Sequence, residues 1–490
     1  MNPTRMRRSR RPLYALLSAL LVVSSIAGAS DATLEQPLFD EALAVSRQLD
    51  PDVDADACQK AFKQLTDKIR AALDAARLQR PGHALDAAAT VAVLNQEILV
   101  GREVSYISNK YWRDSIFTSA LLKNRGNCAA TSLLYYLAAR ELKLPVVMVF
   151  LPQHAMVRWD DGTTVINIET TYKGLPHSDD EILKRFGLTR EDLEPNRFLL
   201  TLPPEQIRGR LRAMWSSVLF SLDRRTEART FLDSARAIDP GCPELQMYEA
   251  NFLMKEGEIT KARKIFDAII ARASGPWAKA SSKLSYAYYL ESRGKIDEAL
   301  ALLAGEYEPA SNGMKIKLAK MLGLLYRHKH DYERALPFYQ FVVREEMNAQ
   351  SLLNLGCVLS EAHRNGPAIT MLEASLRLNP EKFNTQIELA VLYDRIGEKE
   401  KSRALFAAIE EPRESKLHWH RSLAFYFANI KDEPKMLEHM DAAFKFDASG
   451  DTYQYFVREQ EMDPYRDHDG FKKLMDAHAV ADTESAPTDK

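Results

Sequence analysis

Cysteine is scarce in this 490-residue chain, which has four: Cys58, Cys128, Cys242 and Cys357. None stands in a CxxC pair, so the spacing that holds a structural zinc is absent, and their scatter argues against a disulfide framework. Excess charge of one sign is missing as well. Lysine and arginine number 66 against 68 aspartates and glutamates, a formal net charge of −2. No stretch after the first thirty residues concentrates basic side chains into a footprint for phosphate backbones, so nucleic acid is not an expected partner. P-loop, dinucleotide and HExxH motifs are all absent, and neither a cofactor nor a metal is expected. The uncharged apolar run near the start, Leu13 to Ile26, is shorter than the roughly 20 residues a membrane-spanning helix needs.

That run has a context of its own. Arg5, Arg7, Arg8, Arg10 and Arg11 precede it and Ala27-Gly28-Ala29 follows it, which is the order of a secretory signal peptide. Residues 1–29 are read as a signal peptide cleaved after Ala29, with a retained anchor as the alternative. The mature protein is then expected in the periplasm or outside the cell, with no stable membrane span. Cleavage removes five arginines and no acid, which moves the net charge from −2 to −7. Ser9-Arg10-Arg11 also permits a twin-arginine route, and no cysteine near the cleavage point supports a lipid anchor. Export makes disulfides possible without requiring them.

At this length at least two domains are expected, and 46% hydrophobic with 27% charged residues is an ordinary globular composition. The C-terminal half has an internal period. Ala228, Leu232, Ala235 and Pro240 stand at offsets 0, 4, 7 and 12, and the frame recurs from Ala262, Ala299, Ala335, Ala368, Ser402 and Met436 at intervals of 34, 37, 36, 33, 34 and 34 residues. Upstream of three of these, Leu322-Gly323, Leu355-Gly356 and Leu389-Ala390 put a large residue beside a small one. Two helices cross closely only where one lacks bulk. Seven such units in register resemble a tetratricopeptide-repeat solenoid, expected over 205–450. A capping helix is expected over 451–478 and a disordered tail over 479–490. Repeats touch only their neighbours, so Cys242 in the first junction and Cys357 in the fifth unit cannot approach to the roughly 6 Å between bridged Cα atoms. Both are read as free packing thiols.

Before the repeats, three apolar stripes predict helices: Leu38, Ala42, Val45, Leu49; then Phe62, Leu65, Ile69, Leu73; then Ala88, Val91, Leu94, Ile98. The pattern then changes to a helix from about Cys128 to Leu142. Short β-branched runs follow at Val146–Leu151, Ala155–Trp159 and Val165–Ile168, with a turn at Asp160-Asp161-Gly162. This is an α+β signature for residues 30–202, closed by Pro203-Pro204.

Cys128 opens its helix after Arg125-Gly126-Asn127. A thiol there faces unpaired backbone N–H groups and the positive end of the helix dipole, which favour the thiolate and can hold an oxyanion. His154 starts the next strand region and Glu169 ends the one after it. Asn167 shares a strand face with Glu169, so either could orient the imidazole. Read singly, a cysteine or histidine in such a place is more often packing; read together they make a catalytic constellation. His177, His328, His330 and His363 lack such company and are read as surface or packing residues, while Tyr111 and Trp112 either line a cleft or join the core.

Glycine then cysteine on a helix, histidine on a first strand and an acid on the second resemble the transglutaminase-like superfamily of Cys-His-Asp enzymes, with its papain-like fold. Leu144-Pro145, Leu151-Pro152-Gln153-His154, Val157-Arg158 and Asn167-Ile168-Glu169-Thr170-Thr171 further resemble a bacterial branch that often carries tetratricopeptide repeats. The resemblance implies Cys128 as nucleophile, His154 as general base and acid, and Glu169 as orienting carboxylate, with Asn167, Gln153 and Asn127 as further orienting or oxyanion residues. Two positions depart from the family: glutamate replaces the usual aspartate, and Gln153 stands where glycine is common.

The expectation is an exported cysteine-dependent acyl-transfer enzyme of peptidase, amidase or transglutaminase type. Its repeats would recognise a protein or peptide partner on a concave face. The rival is a non-catalytic scaffold whose transglutaminase-like domain is an inactive binding module.

Overall fold

The computed structural model describes residues 35–79, 85–107, 112–222, 224–272, 275–411, 416–447 and 451–479. The expected signal peptide, Tyr111 and the tail beyond residue 479 lie outside the described residues. By contacts the chain divides into two compact units. One comprises residues up to Val149 together with His154–Pro176, and the other Phe150–Gln153 together with everything from His177.

The first unit opens with α1 (Glu35–Leu49), α2 (Ala55–Leu78) and α3 (Ala87–Asn95). Asp54 caps α2 by accepting the N–H groups of Asp56 and Ala57, and Asp86 caps α3 through Ala89, each satisfying amides that have no intrahelical partner. Leu38, Ala42, Val45 and Leu49 are buried, as are Leu65, Ile69 and Leu73, while Phe62 is half-buried. The third stripe departs from expectation at its start, where Ala88 is exposed. Ala88 stands in the first turn of α3, and a π-turn at Gln96–Val100 continues the helix, whose buried face runs Thr90, Val91, Leu94, Ile98, Leu99.

A short parallel pair, β1 (Ser105–Tyr106) with β2 (Arg125–Gly126), brackets α4 (Phe117–Leu122). Then comes α5 (Cys128–Glu141), every residue of which from Cys128 to Ala139 is buried. A helix apolar on all faces is one enclosed on all faces. β3 (Val146–Leu151), β4 (His154–Asp160), β5 (Val165–Glu169) and β6 (Leu175–His177) form a sheet in that order. β4 and β5 are antiparallel, with Val157 opposite Ile168 and Arg158 opposite Asn167. Asp161 closes the turn between them, its Oδ1 accepting from the amides of Thr163 and Thr164. β4 runs one residue further at each end than its apolar run and β5 one further at its end, and His154 and Glu169 are strand residues as expected.

Among the described residues the second unit is built mainly of seven helix pairs: 204–221 with 225–238, 243–255 with 259–272, 276–292 with 296–303, 312–328 with 332–345, 349–361 with 365–378, 383–395 with 399–407, and 416–429 with 433–446. All seven residues that begin the periodic frame are buried. The small residue of the first helix has the expected cause: a Cβ on Gly323 would lie 3.1 Å from the Tyr339 ring, and one on Gly356 2.8 Å from Leu372. Residues 179–203 pack with the repeats, Asp192 accepting the amide of Trp277 at 2.9 Å and Phe198 meeting the Trp277 ring edge to face. The expected capping segment is a helix at Asp451–Arg458, a 3₁₀ turn at Gln460–Tyr465 and a helix at Asp469–Ala477. Phe456, Met462, Tyr465, Phe471 and Met475 join the apolar cluster of the last pairs.

All four cysteines are free, buried thiols. Among the described residues no helix is long and apolar enough to cross a membrane, and no group of three or more His, Cys, Asp or Glu side chains could hold a metal ion.

Candidate thiol site

The N-terminus of α5 is fixed before it is used. Asp114, 1% exposed, takes both arms of the Arg125 guanidinium at 2.8 and 2.9 Å, and its carbonyl accepts the amide of Asn127 at 2.8 Å. Gly126 is required by crowding, since a Cβ there would lie 3.0 Å from that of Ala130. Asn127 is the N-cap: its Oδ1 accepts the Ala130 amide at 3.0 Å and its Nδ2 donates to Ser115 Oγ at 2.9 Å. Its side chain therefore holds the helix start. Helix geometry leaves the amides of Cys128 and Ala129 as the donors at that end.

Cys128, His154 and Glu169 meet across α5, β4 and β5. His154 Nε2 lies 2.8 Å from Glu169 Oε2, and the imidazole is hydrogen-bonded to the Cys128 side chain, so Nδ1 is the ring nitrogen left for the thiol. Glu169, 1% exposed, has its other oxygen fixed by Thr171, through Oγ1 at 2.7 Å and the amide at 3.2 Å. Burial alone would raise the Cys128 thiol, but the hydrogen bond and charge of His154, with an Ala155 backbone bond, carry it below its ordinary value. Burial opposes the charged imidazole too, yet its bonds to Cys128 and Glu169 push His154 up to about 9. Glu169 stays below the ordinary carboxylate value: desolvation works against the anion, and His154 and Thr171 outweigh it. All three shifts favour one state, a thiolate beside an imidazolium backed by a carboxylate.

Asn167 is placed elsewhere. On the same face as Glu169, it accepts from Arg158 Nε at 2.7 Å, a cross-strand contact on the facing strand. Gln153 sits exposed in the β3–β4 turn with φ of 58°, a left-handed conformation that glycine takes most readily. Trp112 is half-buried, with the Arg113 guanidinium 4.4 Å above its ring.

The sequence reading missed the hydroxyls that lock the three elements together. Thr170 Oγ1 lies 2.9 Å from both Thr131 and Ser132 of α5, and Ser132 Oγ donates to the Ala155 carbonyl at 3.1 Å. Thr131 and Ser132 interrupt an otherwise apolar helix, and buried hydroxyls demand partners. That interruption was the available signal.

A cysteine at a helix start, a histidine on one strand and a glutamate on the next are thus brought together in one site. Residues 56–212 match the transglutaminase-like superfamily and residues 219–285 the tetratricopeptide repeat. The chain carries a transglutaminase-like domain followed by tetratricopeptide repeats. Among solved structures it is similar to MamA MSR-1, at 21% identity over 34% of this chain and 92% of that one, with a TM-score of 0.28. It is also similar to YrrB, described as a TPR protein with an unusual peptide-binding site, at 20% identity over 36% and 91% with a TM-score of 0.24. PilF of Pseudomonas aeruginosa matches at 15% over 52% and 100%, with a TM-score of 0.27. No curated protein sequence matches the chain. The repeats are a module for recognising a protein or peptide partner.

Proposed function

We propose that this protein is an exported cysteine-dependent acyl-transfer enzyme acting on a peptide or amide bond, with its repeats selecting the partner or substrate. The observation that carries the reading is the hydrogen-bonded chain from Cys128 through His154 to a buried, doubly held Glu169. The Cys128 thiolate attacks the amide carbonyl carbon, and the amides at the start of α5 are placed to receive the charge on oxygen. The C–N bond breaks as protonated His154 gives its proton to the departing amine, leaving a thioester on Sγ. Water or a second amine then loses a proton to His154, attacks the thioester and displaces the thiolate. Water yields hydrolysis and an amine yields cross-linking; the first half-reaction is common to both.

Export rests on the arginine-rich start followed by Leu13–Ile26 and Ala27-Gly28-Ala29, and it places the working compartment at the periplasm or beyond. One observation favours the rival scaffold: Cys128 is only 5% exposed. Labelling with an iodoacetamide probe near neutral pH separates the readings. The enzyme reading expects fast modification of Cys128 that His154→Ala abolishes. A Cys128 no faster than in His154→Ala overturns it.

A further inference from the structure

Glu291, Arg327, Glu361 and Arg395 each stand in the last turn of the first helix of the third, fourth, fifth and sixth pairs. Charge therefore alternates along the stack. Neighbouring rungs are joined: Arg327 Nε reaches both Glu361 oxygens at 2.9 Å, and Arg395 Nη1 reaches Ser360 Oγ, beside Glu361, at 3.1 Å. The C-terminal segment lies across this row. Arg458 donates to the carboxylate and to the main-chain carbonyl of Glu291, and Glu461 Oε1 lies 3.2 Å from Arg395 Nη2. Two residues three apart thus meet rungs of opposite sign. Gln454 packs so closely that a Cβ on Gly294 would lie 2.8 Å from its Oε1.

The fit is incomplete. Arg458 Nε is buried without a hydrogen-bond partner. Glu459 between the two contact residues is pushed up to about 8, by burial first and then by Glu461, Glu361 and Glu388, with only Arg327 opposing. A shallow cleft, with about 20 Å³ of free space, lies beside Arg327, Tyr332, Arg458 and Glu459. A half-buried carboxyl beside like charges is a local conflict that a matched ligand would not carry.

We propose that this charged row is a peptide-docking surface which residues 454–461 fill in cis. Its partner is a protein segment bearing an arginine at the end of a helix and, three residues later, a glutamate in the turn that follows, with no acid between them. The inference rests on the recognition half of the proposed function and not on its thiol chemistry. Phe456 and Met462, buried against the last pair, tether the segment and give it a high effective concentration, so the intact chain answers only to a partner that outcompetes it.

The probe is a fluorescent synthetic peptide of residues 451–466 carrying Glu459→Gln, titrated against full-length chains. Arg458→Ala with Glu461→Ala, which loosens the cis segment, should bind it about tenfold tighter than wild type or better. Adding Glu291→Arg and Arg395→Glu should remove that gain, and a probe with Arg458→Glu and Glu461→Arg should restore it. Equal binding to wild type and loosened chain, absence of binding to a loosened chain that melts like wild type, or failure of the charge-swap rescue each overturns the proposal. Should the loosened chain not fold, hydrogen exchange on the wild type decides: saturating peptide must deprotect the amides of 451–458, and unchanged protection refutes displacement. None of these readouts involves Cys128, so this inference and the enzyme reading fail independently.

Discussion

Glu169→Gln is the substitution on which the site's logic bears hardest. Oε1 accepts both an amide and a hydroxyl from Thr171, while Oε2 faces His154 Nε2 at 2.8 Å. A glutamine must therefore turn its carbonyl to Thr171 and its NH₂ to the imidazole. Nε2 then becomes an acceptor, the neutral ring carries its proton on Nδ1, and the base facing Cys128 is lost. The charge is lost as well. With an effective dielectric of about 20, opposite charges ~4 Å apart attract by about 4 kcal/mol, or about a thousandfold in rate. Relieving the burial of a carboxylate returns part of that, leaving an expected fall of about 10²- to 10³-fold. The assay is the second-order alkylation rate of Cys128 by iodoacetamide from pH 5 to 10, read by peptide mass spectrometry. Cys58, Cys242 and Cys357 serve as internal controls, since burial raises all three thiols. The sign is fixed: a lowered thiol keeps its thiolate as pH falls below the ordinary 9.0, so the variant's deficit is largest near neutrality and closes toward pH 10. A deficit independent of pH, or a larger one in Asn167→Ala, refutes the assignment and moves the orienting role to Asn167.

Gly356→Ala should lower the melting temperature, because its Cβ would stand 2.8 Å from Leu372 and overpacking costs about 1–3 kcal/mol. Gly366→Ala, in a helix with open space around it, should raise stability by about 0.5–1 kcal/mol; scanning calorimetry reads both, and equal shifts would remove the packing argument. Gln153→Gly should stabilise by relieving a φ of 58°, a strain of roughly 1 kcal/mol, and a loss of stability in urea denaturation would contradict this. Denatured, non-reduced protein should take up alkylating agent at all four cysteines, and a mass showing Cys242 linked to Cys357 would overturn the repeat register.

Much of this architecture was legible because it is periodic. A small residue every 34 or so positions can be read without coordinates, since close helix crossing tolerates nothing larger, and the buried Ala228, Ala262 and Ala299 obey that demand. Strand alternation likewise placed Asn167 and Glu169 on one face. It could not choose between them: the choice lies in Arg158, directly opposite Asn167, and register is a pairing fact rather than a local one. Ala88 failed for a reason of another kind: it stands in the first turn of α3, and apolar spacing does not announce where along a helix enclosure begins. The row from Glu291 to Arg395 and the segment that crosses it were hidden because their contacts join residues 66 and 167 positions apart. Repeat periodicity locates each helix but says nothing about what a distant helix brings to its end.

The most direct measurement is an ultraviolet difference titration of thiolate absorbance, wild type minus Cys128→Ala, from pH 4 to 11. The account predicts a Cys128 thiolate that forms below the ordinary thiol value of 9.0 and a second step near 9 as His154 loses its proton, the two belonging to one coupled pair. A single step at or above 9, like that of a buried packing thiol, would contradict it.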